Sequence, residues 1–194
     1  MPARLVFLDV FEGWSATAKL SVLIGFGTSF PYMMFELVMF LRPGLTSTER
    51  KYIYALIPSG TILFFLGVAF GYFILIPPAL YFLFEFGGDI ATPTPRIGSY
   101  ISLISSLVFW MGIIFEIPIG MFMLSKAGLL KSHWVSKQRR WNILFGFILG
   151  AIVTPTFDPV TQTIAALPAI FLFELGLILV KLSERSQAKK RKSD

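Results

Sequence analysis

The sequence has no cysteine and a single histidine, His133. Disulfides, thiolate metal sites and cysteine nucleophiles are therefore excluded, and one imidazole cannot form a histidine cluster around a metal. Charge is scarce too: only 14% of the 194 residues are Asp, Glu, Lys or Arg, against about a quarter in an average soluble chain. The stretch from Ile53 to Ile76 carries none. A glycine-rich phosphate loop, a Ser-His-Asp set and metal-ligand spacing are all missing, so the residues point to no enzyme, no cofactor and no metal.

Apolar residues are what the chain has most of. They make up 55% of it, with 21 Phe and a mean hydropathy of +0.74, a composition that belongs in a membrane. A span needs roughly 20 apolar residues to cross a hydrocarbon core of about 30 Å, so five or six fit, with short loops and no separate soluble domain. The first apolar run begins after Glu12, is too long for a signal-peptide core and ends in no small-residue cleavage pattern, so it is read as retained.

Charges and turn residues divide the chain into five predicted spans, giving an all-α polytopic bundle: Ser15 to Leu41, Tyr52 to Ile76, Tyr100 to Leu124, Trp141 to Thr154, and Pro159 to Leu182. Residues 1–182 are expected to form the membrane domain and residues 183–194 a basic, disordered tail. Of the 17 Lys and Arg, 14 fall on one side, in the loop with Arg42, Arg50 and Lys51, in the loop from Lys126 to Arg140, and in the tail from Lys181. Arg4, Lys19 and Arg96 are assigned to the other. The richer side is expected in the cytoplasm, with the N-terminus outside and the C-terminus inside. The formal charge of +6 is thus a membrane signature rather than a nucleic-acid one.

The fourth segment has 14 residues between Arg140 and Pro155, about 21 Å of helix. Either the bilayer thins around it, or Thr154-Pro155 enter the interface with their turn just above the headgroups.

Three acids lie within apolar segments: Glu36, Glu116 and Glu174. An ionised acid at a helix centre costs roughly 2.5 to 3.5 kcal/mol, so each must be neutral, paired or turned to a polar interior. Glu116 is the sharpest, because Pro118 follows it and frees the carbonyl of Ile114, which joins carboxyl and broken backbone in one polar notch. A protonated Glu116 that only fixes packing meets the same constraint. Glu36 and Glu174 lie nearer the cytoplasmic ends and can snorkel. Pro31, Pro58, Pro118 and Pro168 are expected to kink their helices. In the first cytoplasmic loop Thr46-Ser47-Thr48-Glu49 has the spacing of a capping box, and Asp158-Pro159 that of an N-cap followed by proline at the first helical position. Such a kinked bundle suits a transporter, a channel subunit or a receptor, and a small proton-coupled carrier with Glu116 as its relay is one concrete alternative.

The ordered motifs resemble the TatC subunit of the twin-arginine protein translocase. They are Ser29-Phe30-Pro31; Phe40-Leu41-Arg42-Pro43-Gly44-Leu45 leading to Glu49-Arg50; Phe70-Gly71-Tyr72-Phe73 with Pro77; Phe115-Glu116-Ile117-Pro118; and Thr154-Pro155-Thr156-Phe157-Asp158-Pro159-Val160-Thr161-Gln162 running into Leu167-Pro168 and Phe173-Glu174. Each piece is weak alone, but their order from about Leu5 to Leu182 is specific.

The resemblance implies an inner-membrane receptor for folded precursors whose signal peptides carry paired arginines. It would work with single-span TatA-type and TatB-type partners, self-associate and draw on the proton gradient. Signal binding is carried over to Glu49, with Phe40, Pro43, Leu45 and Arg50 around it. A carboxylate accepts a guanidinium fork through two charge-assisted bonds, a geometry lysine cannot reproduce. Glu116, Gln162 and Glu174 take the intramembrane polar and partner-docking roles, while Pro31, Pro118, Asp158, Pro159 and Pro168 shape helices and loops. The family's cytoplasmic His-x-x-Glu-Leu-Arg-like segment and first span have no counterpart near Leu5. One arginine-binding acid is therefore expected to be missing, and an inactive fragment or scaffold is a further alternative.

Overall fold

The computed structural model describes residues 10–41, 54–85, 96–137, 139–154 and 159–190. Nearly all of these are helical: α1 (Glu12–Leu41), α2 (Leu56–Phe70), a π-helical turn (Gly71–Leu75), α3 (Ile76–Glu85), α4 (Ile97–Phe115), α5 (Ile117–Lys126), α6 (Ser132–Lys137), α7 (Arg139–Val153) and α8 (Pro159–Lys190). Among the described residues four helices are long and apolar enough to cross a membrane, namely Glu12–Phe40, Leu56–Glu85, Ile97–Lys126 and Pro159–Arg185, and Arg140–Val153 is a shorter apolar one. The helices follow the expected order because an apolar segment in lipid must satisfy its backbone internally, and a helix does so without help.

The boundaries differ where hydropathy is a poor guide. The second span does not stop at Ile76; it passes Pro77 and Pro78 and continues to Glu85. Two consecutive prolines cannot donate to the carbonyls a turn before them, and the chain widens there into the π turn, where the Ile76 amide reaches back to the Gly71 carbonyl. Nor does the last helix end at Leu182. It runs eight residues further, to Lys190, through a stretch rich in Glu, Arg, Gln, Ala and Lys, all good helix formers. α1 starts at Glu12, three residues before the expected Ser15, and carries Lys19 in its second turn.

Two groups of helices form the bundle. α1 packs on α2 and α4, α2 packs closely on α4, and α8 packs on α5 and α7. The span formed by α4 and α5 serves both groups. Leu75, Leu107 and Met111 are fully buried at the centre with Ala165, Ala169 and Leu172 of α8. α7 lies against α8 through Gly146 and Gly150, where a Cβ would come within 2.6 Å of Ile170 Cγ1 and 2.8 Å of the Gln162 carbonyl oxygen. Small residues four apart are how helices approach closely in lipid. By contrast, only 17% of the most apolar stretch of α1 is buried within the bundle, against 56% for α4–α5. α5 ends in a Schellman motif: Gly128 takes φ +77°, its amide bonds Ser125, and the Leu129 amide bonds Leu124.

Candidate functional site

Glu116 stands at the joint between α4 and α5, with φ −79° and ψ −9°. Its amide turns back to the Ile113 carbonyl at 3.0 Å, a tight i to i−3 closure, and Pro118 sits in the first turn of the next helix. Proline cannot carry the α4 ladder through this point, so the helix breaks beside the carboxyl. The Glu116 side chain reaches across to α1 and α2. A Cβ on Gly60 would stand 3.3 Å from Glu116 Oε2 and 3.1 Å from Met34 Sδ. Both carboxyl oxygens are buried and make no hydrogen bond of normal geometry among the described residues, the Phe64 amide of α2 being the polar group that faces them. Just beyond them Phe30 stacks on Phe64 with ring centroids 3.9 Å apart, and Phe26 bridges to Phe109 at 5.1 Å. A carboxyl is thus held at Gly60 beside the Met34 thioether, a costly placement that needs a reason.

The other intramembrane polar residues are placed differently. Gln162, in the first turns of α8, donates its Nε2 to the Phe147 carbonyl of α7 at 3.2 Å, tying these two helices together. Glu174 is half-buried on α8, two residues before Gly176, where α8 closes on α5; a Cβ there would lie 3.2 Å from Pro118 Cα. Glu36 is exposed on α1 one turn after Tyr32, whose hydroxyl it accepts. Pro31 and Pro168 sit inside α1 and α8, which continue through them, and Pro159 opens α8. Phe40, in the last turn of α1, is 78% exposed, pointing away from the bundle. Pro43, Leu45, Glu49, Arg50 and Asp158 lie outside the described residues.

A second polar site lies at the opposite end of α4. Glu12 Oε1 pairs with Arg96 Nε at 3.5 Å and accepts the Gly98 amide at 3.3 Å, so the first turn of α1 caps α4. Nearby Lys19 donates to Ser102 Oγ at 3.0 Å. Ser15, Ser99 and Ser106 share the groove, of about 740 Å³, that these groups line.

Gly60 and Met34, the walls around Glu116, and the Glu12–Lys19–Arg96–Ser102 group were not picked out from the sequence. Lys19 carried a signal, a lysine inside an apolar run. Gly60 and Met34 carried none, since only packing brings them to Glu116.

A family model described as Sec-independent protein translocase protein (TatC) matches residues 2–168. The TatC protein of Carboxydothermus hydrogenoformans is 34% identical over 178 residues, covering 92% of this chain and 73% of that one. The TatC protein of Aquifex aeolicus is 34% identical over 192 residues, covering 98% and 79%. That of Halothiobacillus neapolitanus is 36% identical over 181 residues, and there the match spans about half of the relative, 49% of its length. The fold is similar to a crystal structure of the twin-arginine translocase receptor TatC, with a TM-score of 0.78 and 34% identity over 94% of this chain and 80% of that one.

Proposed function

The chain belongs to the TatC family of Sec-independent protein translocases, and from that premise we propose that it is the membrane receptor subunit that admits twin-arginine signal peptides to the translocase. The observation that carries this reading is the Glu116 notch, a buried carboxyl without a hydrogen bond of normal geometry among the described residues, at a broken backbone. It is a non-enzymatic role. What such a subunit must supply is recognition at the membrane face and a polar foothold inside the bilayer, and the bundle is too small to enclose a pore for folded cargo.

In this reading Glu49 takes the guanidinium of a signal arginine through paired hydrogen bonds, with Arg50, Phe40, Pro43 and Leu45 shaping the same loop. The apolar part of the signal then enters beside α2 and α8, and Glu116 offers a hydrogen-bond acceptor to the inserted segment or to a partner helix. Single-span TatA-type and TatB-type subunits are the partners, the loop with Glu49 and the basic loop face the cytoplasm, and the proton gradient supplies the driving force. Positive-inside charge supports this orientation.

Photo-crosslinking in inverted membranes tests the proposal. A precursor with two signal arginines should crosslink to residues beside Glu49, the same precursor with two lysines should not, and Glu49→Ala should abolish the difference. Equal crosslinking of both precursors, or arginine-specific crosslinking that survives Glu49→Ala, would remove Glu49 from the receptor role.

A further inference from the structure

A cavity of about 360 Å³ opens between α5, α6, α7 and α8. Ile117, Met121, Leu149 and Phe173 form its walls, and Trp134 and Trp141, both more than half exposed, belong to its rim. Asn142 is the one amide-bearing side chain in the lining. A surface this apolar offers little to a sugar, a nucleotide or a polar peptide, so hydrocarbon suits it best. A helix about 10 Å across fills roughly 420 Å³ in each 5.4 Å turn, so the cavity holds less than one turn of a partner helix. An acyl chain is the slimmer fit.

What surrounds the opening narrows the choice of lipid. Indole rings at a bilayer surface mark the headgroup level, which places Trp134 and Trp141 there. Lys131 precedes α6, Lys137 closes it and Arg140 stands in the first turn of α7, and all three are exposed. From Ser125 to Phe157 the sequence has five Lys and Arg and no Asp or Glu. The acid that packs on this corner, Glu184 of α8, is already engaged by the Ser132 amide at 2.7 Å and by the Ser132 hydroxyl. Among the described residues Lys131, Lys137 and Arg140 meet no acid, which leaves these three to a ligand. Basic pockets between membrane helices bind anionic headgroups in this way.

We propose that this groove holds one acyl chain of an anionic phospholipid from the leaflet on the basic side, its phosphate resting on Arg140 with Lys131 and Lys137. α7 is only 15 residues long, about 22 Å, and a lipid retained at its start would fill the space a longer helix would have occupied.

The test uses the two rim indoles as probes. A Trp14→Phe, Trp110→Phe variant, shown by circular dichroism to keep its helices, is placed in phosphatidylcholine nanodiscs containing a small fraction of acyl-brominated phosphatidylglycerol or acyl-brominated phosphatidylcholine. Quenching by the anionic lipid should saturate and show a preference of about tenfold. Filling the groove with Leu130→Phe and Leu149→Phe should remove the saturable phase, and Arg140→Gln with Lys131→Gln and Lys137→Gln should remove the preference. Equal quenching by both lipids overturns the proposal. So does a preference that survives filling of the groove, which would mean diffuse attraction to the basic surface. Absence of lipid preference together with shielding of the indoles by a co-reconstituted single-span helix would assign the groove to a protein partner instead.

Discussion

The Glu116 carboxyl occupies the hollow that Gly60 leaves on α2: a Cβ at Gly60 would stand 3.3 Å from Glu116 Oε2 and 3.1 Å from Met34 Sδ. Three spans meet at this one acid, so α1, α2 and the α4–α5 joint report on each other through it.

Enlarging residue 60 therefore measures how firmly the carboxyl is held. Gly60→Ala meets only the ends of flexible side chains and should cost less than about 1 kcal/mol. Gly60→Leu must expel Met34 or Glu116, should cost about 2 kcal/mol or more, and should abolish export. Thermal unfolding in detergent and an export assay check both; a fully active Gly60→Leu variant would show that the carboxyl has room to spare.

Replacing Glu116 should separate stability from function. Its oxygens are buried without a hydrogen bond of normal geometry among the described residues, and exchanging an unsatisfied polar group for an apolar one of similar shape is neutral or stabilising. Glu116→Leu is expected to raise unfolding stability by about 1 kcal/mol while transport falls. A Glu116→Leu protein less stable than the parent would contradict the claim that these oxygens go unsatisfied.

Gly67 sets the distance between α2 and α4. A Cβ there would lie 2.5 Å from the Met111 carbonyl oxygen and 2.8 Å from the Phe115 ring, and a backbone atom cannot rotate away. Gly67→Ala should destabilise by about 2 kcal/mol or more, whereas Gly25→Ala and Gly27→Ala, with no neighbour within 4 Å, should be neutral or slightly stabilising. Comparing unfolding midpoints of the three variants decides it.

At the basic side of the bundle, Glu184 caps α6 by accepting the amide and hydroxyl of Ser132. Glu184→Ala should cost about 1 kcal/mol and speed amide exchange selectively across residues 132–137, leaving α1 unchanged. Uniform acceleration throughout the protein would mean that the contact supports the whole fold rather than this corner.

The Glu12–Arg96 pair should behave asymmetrically. Arg96 is half exposed and Glu12 is 10% exposed, and exposed pairs contribute about 0 to 1 kcal/mol. Arg96→Gln is expected to be nearly silent in thermal unfolding. Glu12→Ala also removes the acceptor of the Gly98 amide and should cost more; equal losses would place the energy in the ion pair rather than in the cap.

Helix number and order were legible in the sequence because lipid leaves an apolar chain few alternatives. Glu116 was legible as an acid beside a proline. The rest depended on contacts or geometry that hydropathy does not encode. Gly60 and Met34 reach Glu116 only through packing, the π turn changes the hydrogen-bond span without changing composition, and α8 outlasts its apolar stretch because helix propensity continues past Leu182. Lys19 was legible as a charge inside the first span, but its bond to Ser102 of α4 was not.

The division into two helix groups bears on how the protein is made. α1, α2 and α4 leave the ribosome first and contact one another directly, so they can associate as they are inserted. α5 and α7 must wait for α8, on which each packs most extensively. Until the final segment is synthesised, half of the protein is without its main support, and late truncation or slow insertion of α8 should expose the nascent chain to membrane proteases.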